Sequence, residues 1–129
     1  MPDIVFNAHS GLRYLVLLLA VLTTLYALVG YFQKKPVDKA GLTMLRIFTV
    51  VLDIQVVLGI VTLVTRDFYP QLIGHLVMMI GAVAIAHLGA VRLKKAAPEA
   101  RTNGMLLTTS LIALLAIVGG ILAIQRPIV

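Results

Sequence analysis

Apolar residues dominate four long stretches of this 129-residue chain, and polar residues collect between them. The apolar stretches cover about residues 10–32, 43–65, 70–91 and 104–124. Each is close to the roughly 20 residues that a membrane-spanning helix requires, and each is much longer than an ordinary strand. A helix is also the simplest span that satisfies its own backbone hydrogen bonds in lipid. The pattern therefore predicts four transmembrane α-helices.

Three short polar connections separate the apolar stretches and set the direction of each helix. The first is QKKPVDKAG, in which Pro36 cannot continue a helix. The second is TRDFYP and the third is RLKKAAPEARTNG. Because short connections leave sequential helices antiparallel, we expect residues 1–129 to form a single integral membrane domain of the all-α class, a four-helix transmembrane bundle.

The composition supports a membrane protein and excludes several kinds of site. Hydrophobic residues make up 60% of the chain and charged residues 12%, and the mean hydropathy is +1.04. Soluble domains are nearer half apolar and a quarter charged. The chain has no cysteine, which excludes disulfides, thiolate metal sites, iron–sulfur clusters and thioether-linked haem.

The net charge of +6 indicates membrane orientation rather than nucleic-acid binding. Eight of the eleven basic residues lie at one end of the predicted bundle: Lys34, Lys35, Lys39, Arg46, Arg92, Lys94, Lys95 and Arg101. The other three lie at the opposite end: Arg13, Arg66 and Arg126. Basic residues mark cytoplasmic loops. The asymmetry therefore predicts a multi-pass protein of a bacterial inner membrane, with both termini on the periplasmic side.

Ionisable residues inside a membrane are costly and usually functional, and this chain has an outer layer of them. That layer contains His9 and Arg13 on the first helix and His75 on the third, with Met79 one turn further on. Residues four apart share a helix face, so we expect these side chains to meet at similar depth. In the alternative, His9 caps the first helix, Arg13 extends to the lipid head groups, and the other two pack in the core.

An inner layer contains Asp53 on the second helix and His87 on the third. At a rise of 1.5 Å per residue, Asp53 lies roughly 10 Å from Arg46, and His87 lies roughly 8 Å from Arg92. The two helices are antiparallel neighbours, so the depths agree and we expect the two side chains to lie within hydrogen-bond reach. We interpret them either as a proton relay or as a buried pair that fixes helix register.

The outer layer suggests a haem site. The sequence motifs of hydrolases, nucleotide-binding enzymes and zinc proteases are absent, so at most an electron-transfer role is expected. Four-helix bundles readily hold a cofactor between facing helices, and His9 and His75 are candidate axial ligands for haem b. Arg13 can then pair with a haem propionate. Gly74 and Gly81 would let the porphyrin approach the third helix.

Three stretches, HSGLRYLVLLL, DIQVVLGI and GHLVMMIGAVAIAHLGAVRLKK, resemble the first three helices of small four-helix bacterial inner-membrane proteins labelled cytochrome B-like. Members tend to have HSGLRW or HSALRW in helix one, HIQ or DVQ in helix two, and EH followed by methionine in helix three. The resemblance implies a haem-binding membrane subunit that exchanges electrons with a quinone or a partner complex. It maps onto these residues of the chain: His9, Arg13, Asp53, Gln55, His75, Met79 and His87.

The chain departs from that family pattern at three positions. Tyr14 replaces the common tryptophan, and Gly74 replaces the common glutamate. Asp53 stands where some members have histidine, which removes a candidate ligand for a second haem.

Two other functions are compatible with the same sequence. One is a non-catalytic accessory subunit that binds lipid, pigment or quinone. Such a subunit would pack against other membrane subunits or a second copy through small residues such as Gly119, Gly120 and Ala123. The other is a transporter of protons or of a metal such as Cu(I), which thioethers suit, at His75, Met78 and Met79.

Overall fold

Four helices contain almost all of the residues that the computed structural model describes, which are 2–65, 70–97 and 102–124. The helices are α1 (Pro2–Phe32), α2 (Lys39–Thr65), α3 (Gln71–Lys95) and α4 (Asn103–Ala123). All four are long and apolar enough to cross a membrane. The predicted all-α four-helix bundle is confirmed. Several helices extend beyond the apolar stretches, because hydropathy reports the thickness of the hydrocarbon layer, whereas helical hydrogen bonding continues into the polar flanks.

The helices form an antiparallel ring in chain order. α1 packs against α2 and α4, and α3 packs against α4. Among the described residues, α2 and α3 make the least contact of any neighbouring pair, and α1 and α3 face each other diagonally. We call the end that holds residues 4 and 124 the terminal end and the opposite end the basic end.

Small residues allow α3 and α4 to approach closely. A methyl group built on Gly89 would overlap the side chain of Thr109, and one built on Gly74 would come within 3.3 Å of the Ala123 Cβ. Ala82, Ala86 and Ala113 are fully buried along the bundle centre. Without side chains between them, the two backbones gain van der Waals contact along their length.

The accessory-subunit alternative expected the small-residue face of α4 to meet a partner subunit, but this face packs against α3 within the bundle. The Met78 methyl lies over Gly119, and the Met79 methyl lies over Gly120. Ala123 faces α3 in the same way. The face is used inside the bundle, where its small residues let the backbones of α3 and α4 approach closely.

The two connections at the basic end are tied together. Pro36 and Thr102 form an isolated antiparallel backbone bridge. The Asn103 side-chain Nδ2 donates a 2.8 Å hydrogen bond to the Lys35 carbonyl oxygen. Asn103 also lies against Gly30, where a Cβ atom would collide with it. These contacts hold the end of α1 beside the start of α4.

The exterior of the bundle is apolar along the helices. Large hydrophobic side chains are exposed on every helix, including Leu18, Ile54, Ile80 and Leu115. In water such a surface would be unfavourable, whereas in lipid it needs no cover. The exterior therefore fits a multi-pass membrane protein in contact with the bilayer.

We expect the terminal end to face the periplasm, as the eight-to-three distribution of basic residues predicts. Alkaline phosphatase fused after Val129 should be active, because that enzyme folds only outside the cytoplasm. The same enzyme fused after Ala97 at the basic end should be inactive. An inactive fusion after Val129 and an active fusion after Ala97 would show that the terminal end faces the cytoplasm.

The start of α2 is held by a carboxylate that also binds α1. Asp38 accepts a 2.9 Å hydrogen bond from the Gly41 backbone N–H, as a helix cap does. The Tyr26 hydroxyl donates to the same carboxylate at 2.7 Å. The Tyr26 hydrogen bond, followed by that of Gly41, lowers the pKa of Asp38 below its ordinary value.

We expect this carboxylate to stabilise the fold at neutral pH and not in acid. Because its pKa is lower when folded, its contribution is complete above the unfolded value of about 3.9 and is lost as pH falls through the folded value. The Asp38→Asn variant keeps a capping oxygen but has no charge. Its thermal unfolding midpoint in detergent should lie below that of the wild type at pH 7, and the gap should be smaller at a second, acidic pH below the unfolded value of about 3.9. An equal gap at both pH values would contradict this.

Candidate functional site

A cavity of about 540 Å³ lies among the four helices toward the terminal end. Its volume is within the roughly 300–1,000 Å³ typical of small-molecule sites. Polar side chains on its wall are His9, Ser10, Arg13, Gln55, Thr62 and His75. The remaining lining is mostly aliphatic and includes Val16, Leu52, Val56, Leu72, Leu76, Val83, Ile117 and Ile121. The predicted outer layer therefore surrounds one apolar cavity.

His75 is fixed by a backbone contact to α4. Its Nδ1–H donates a 2.9 Å hydrogen bond to the Gly120 carbonyl oxygen. A carbonyl can only accept, so Nδ1 carries the proton and Nε2 of the neutral ring keeps its lone pair. Histidines that bind a metal ion are commonly held in this way through the ring nitrogen that does not bind it.

His9 lies on the opposite side of the cavity from α3, against α2. A Cβ atom on Gly59 would come within 3.0 Å of the His9 Cε1 atom, so glycine at this position lets the ring approach the helix backbone. Gln55, one turn earlier on α2, donates a 2.7 Å hydrogen bond from Nε2 to the His9 carbonyl oxygen. The Oε1 atom of Gln55 is buried without a hydrogen-bond partner. α2 thus determines where His9 stands.

Arg13 is a cation on the cavity wall whose hydrogen-bonding capacity is only partly used. Its Nη2 donates a 2.8 Å hydrogen bond to the Tyr14 hydroxyl, and the guanidinium lies 4.8 Å from the centre of the Tyr14 ring. Its Nε is buried and has no hydrogen-bond partner. The hydroxyl and the ring of Tyr14 therefore both contact the guanidinium.

The methionines and glycines of α3 divide between the cavity and the packing with α4. Met79 lines the cavity, but its methyl group rests on Gly120. Met78 packs over Gly119. Gly74 faces Ala123 rather than the cavity, so its expected role beside a porphyrin is not supported. Within the described part of the chain, no cluster of three or more His, Asp or Glu side chains is arranged to hold a metal ion.

The structure brings Asp53 and His87 together. Oδ1 of Asp53 and Nε2 of His87 are joined by a hydrogen bond of 2.7 Å. The pair is not buried, since 51% of the Asp53 side chain and 46% of the His87 side chain are exposed. α2 and α3 pack loosely here, so the contact lies on the outer surface of the bundle.

Gln55, Gly59 and Thr62 were not among the candidate site residues, although the family resemblance mapped onto Gln55. They are spaced four and three residues apart on α2, so they share one helix face. That face lines the cavity. The periodicity of polar and small residues in an apolar helix was the available signal, and it was hidden because none of the three is ionisable.

Comparisons with protein-family models, with curated proteins and with solved structures give no match to this chain.

Proposed function

We propose that this protein is a small b-type-cytochrome-like subunit of a bacterial inner membrane, which exchanges electrons with a quinone or a partner complex. The observation that carries the proposal is the hydrogen bond from His75 Nδ1 to the Gly120 carbonyl oxygen at the wall of the cavity. The bond uses the Nδ1–H of His75, and the side chain lines the cavity, so Nε2 is the nitrogen that remains for a ligand. Metal-binding histidines commonly donate their other N–H to a backbone carbonyl in the same way.

Three features of the cavity fit haem b. Its walls are mainly aliphatic, as a flat apolar macrocycle requires. His9 and His75 reach it from α1 and α3, which do not pack closely against each other. Arg13 brings a guanidinium whose Nε has no partner, and a propionate carboxylate would supply one.

Each of these side chains would have a distinct task. His75 would bind the iron through Nε2, with the Gly120 carbonyl holding the ring in orientation. His9 would bind from the other wall, where Gly59 leaves room for its ring and Gln55 holds its backbone. Arg13 would offset the charge of the propionates. When bound, haem b supplies one-electron redox chemistry whose potential the ligands and the surrounding polarity determine.

The absorption spectrum tests this proposal directly. Protein purified from haem-supplied cells should be red, with a Soret band that sharpens on reduction, and a pyridine haemochrome assay should give about one haem b per chain. Colourless protein from such cells would contradict the proposal and favour the accessory-subunit alternative. Uptake of Cu(I) by colourless protein would favour the transporter.

A further inference from the structure

An ionisable pair stands on the lipid-facing surface of α2 and α3. About half of each side chain in the Asp53–His87 pair is exposed, although the two are hydrogen-bonded to each other. Asp53 lies roughly 10 Å along α2 from Arg46 at 1.5 Å per residue, inside a hydrocarbon layer about 30 Å thick. Exposed groups of this kind are costly at that depth, so a polar contact from within the membrane would stabilise them.

The polar atoms of Asp53 and His87 that their mutual hydrogen bond does not use determine which polar group can bind the pair. The hydrogen bond within the pair uses Asp53 Oδ1 and His87 Nε2. The other two polar atoms, Asp53 Oδ2 and His87 Nδ1, form no hydrogen bond with any described residue. A carboxylate oxygen accepts, and an imidazole nitrogen donates or accepts according to its proton. A hydroxyl group donates to the carboxylate and can accept from, or donate to, the ring. A carbonyl only accepts, so it cannot pair with the carboxylate.

The surroundings favour a head group attached to an apolar tail. The pair lies at the contact between α2 and α3, the neighbouring helices that pack least against each other. Val56, three residues after Asp53, and Ala84, three residues before His87, both line the cavity. The pair is therefore about one helical turn from the cavity edge, and the exposed side chains around it are apolar.

We propose that the Asp53–His87 pair binds the hydroxyl head group of a lipid-soluble quinol, whose apolar tail lies in the groove between α2 and α3. The choice of a quinol among hydroxyl-bearing lipids rests on the proposed electron-transfer function. Recognition of the hydroxyl follows from the exposed pair alone. The quinol would stand at the edge of the cavity that His75 lines, and its oxidised dicarbonyl form would bind more weakly.

Three probes and one ring signal test this site. The probes are decylubiquinol, 4-decylphenol and decylbenzene. The signal is the NMR resonance of the His87 ring in ¹³C-histidine-labelled protein in micelles. The quinol and the phenol should shift the signal saturably, because both present a hydroxyl. Decylbenzene has the tail without the hydroxyl and should leave the signal unchanged.

Two variants locate the binding. Asp53→Leu/His87→Leu replaces the pair by apolar side chains, which suit a lipid-facing surface better than ionisable ones. The double variant should bind 4-decylphenol at least about ten-fold more weakly in calorimetry. Asp53→Asn should weaken this binding without changing helix packing. Thr108→Val is the control, since Thr108 is exposed on α4 at a comparable depth and its hydroxyl bonds its own helix. It should bind as the wild type does.

Unchanged phenol binding by the double-leucine variant, or no binding by the wild type, would overturn the proposal. A wild-type dimer that binds no probe and dissociates in the double-leucine variant would instead assign the pair to an interface between copies. The haem proposal and the quinol proposal can be refuted independently. Colourless protein that binds the quinol refutes the haem and keeps this site, whereas red protein that binds neither hydroxyl probe does the opposite.

Discussion

Replacing His75 by alanine is expected to abolish haem binding, so that the purified variant has no Soret band. The Gly120 hydrogen bond occupies Nδ1 of His75 and leaves Nε2 as the nitrogen that would bind iron, and the His75 side chain lines the cavity. Alanine has no ligand atom, and no cysteine is available to take its place. The measurement is haem content per chain by pyridine haemochrome, on protein whose helicity and monodispersity match the wild type.

The same helix supplies a matched control. His87 is twelve residues further along α3 and lies on the outer surface with Asp53. The His87→Ala variant should therefore keep its haem. The His9→Ala variant should lose haem or become high-spin, and Arg13→Ala should keep haem with a shifted potential. Full haem content in His75→Ala would refute the assignment of this ligand.

Replacing Gly89 by alanine is expected to destabilise the bundle by about 2 kcal/mol, the typical cost of overpacking a close contact. The added Cβ would overlap the Cγ2 and Oγ1 atoms of Thr109. Thr109 cannot easily turn away, because it is buried and its hydroxyl donates a 2.8 Å hydrogen bond to the Met105 carbonyl oxygen. α3 and α4 would have to separate along their best-packed seam.

Gly81→Ala is the matched control for this change. A Cβ atom at Gly81 meets nothing within 4 Å, so the substitution should stabilise α3 by about 0.5–1 kcal/mol through backbone entropy. Thermal unfolding in detergent should thus move in opposite directions for the two variants. The cost of Gly89→Ala should also shrink in a Thr109→Ala background. Equal shifts for the two glycines would show that helix propensity, rather than the α3–α4 contact, governs position 89.

The helices could be predicted from local pattern because hydrocarbon imposes one simple requirement. A chain that crosses it must satisfy its backbone internally, and about 20 apolar residues are enough to specify each span. Pro36 lies in the connection before α2 and Pro70 is the cap residue of α3, because proline lacks the N–H that a helix interior requires. The helix ends were less predictable. α1 begins at Pro2, before the apolar stretch that starts at about residue 10, because helical hydrogen bonding extends into the polar flank.

The contacts of the candidate site could be predicted only where two side chains had to lie at the same depth in the membrane. Asp53 and His87 were expected to meet because antiparallel neighbours place them at one level, and they are joined at 2.7 Å. Their exposure could not be inferred, because it depends on how loosely α2 and α3 pack. His9 and His75 were expected to face one gap, and both line the cavity. The partners that orient them, Gln55 and Gly120, belong to other helices and carry no charge that marks them.

The sequence by itself determined four membrane-length helices, their antiparallel order and the levels at which ionisable residues lie, since these follow from composition, spacing and a rise of about 1.5 Å per residue. Only the tertiary structure decided which faces meet. It turned Gly119 and Gly120 inward against α3, packed α2 against α3 less closely than the other neighbouring helices, and placed the Gly120 carbonyl at Nδ1 of His75. The physical reason is that the exterior and the interior of a membrane bundle are both apolar, so hydrophobicity does not select the buried face. Shape does, through glycine and alanine grooves whose fit appears only when the helices are packed together.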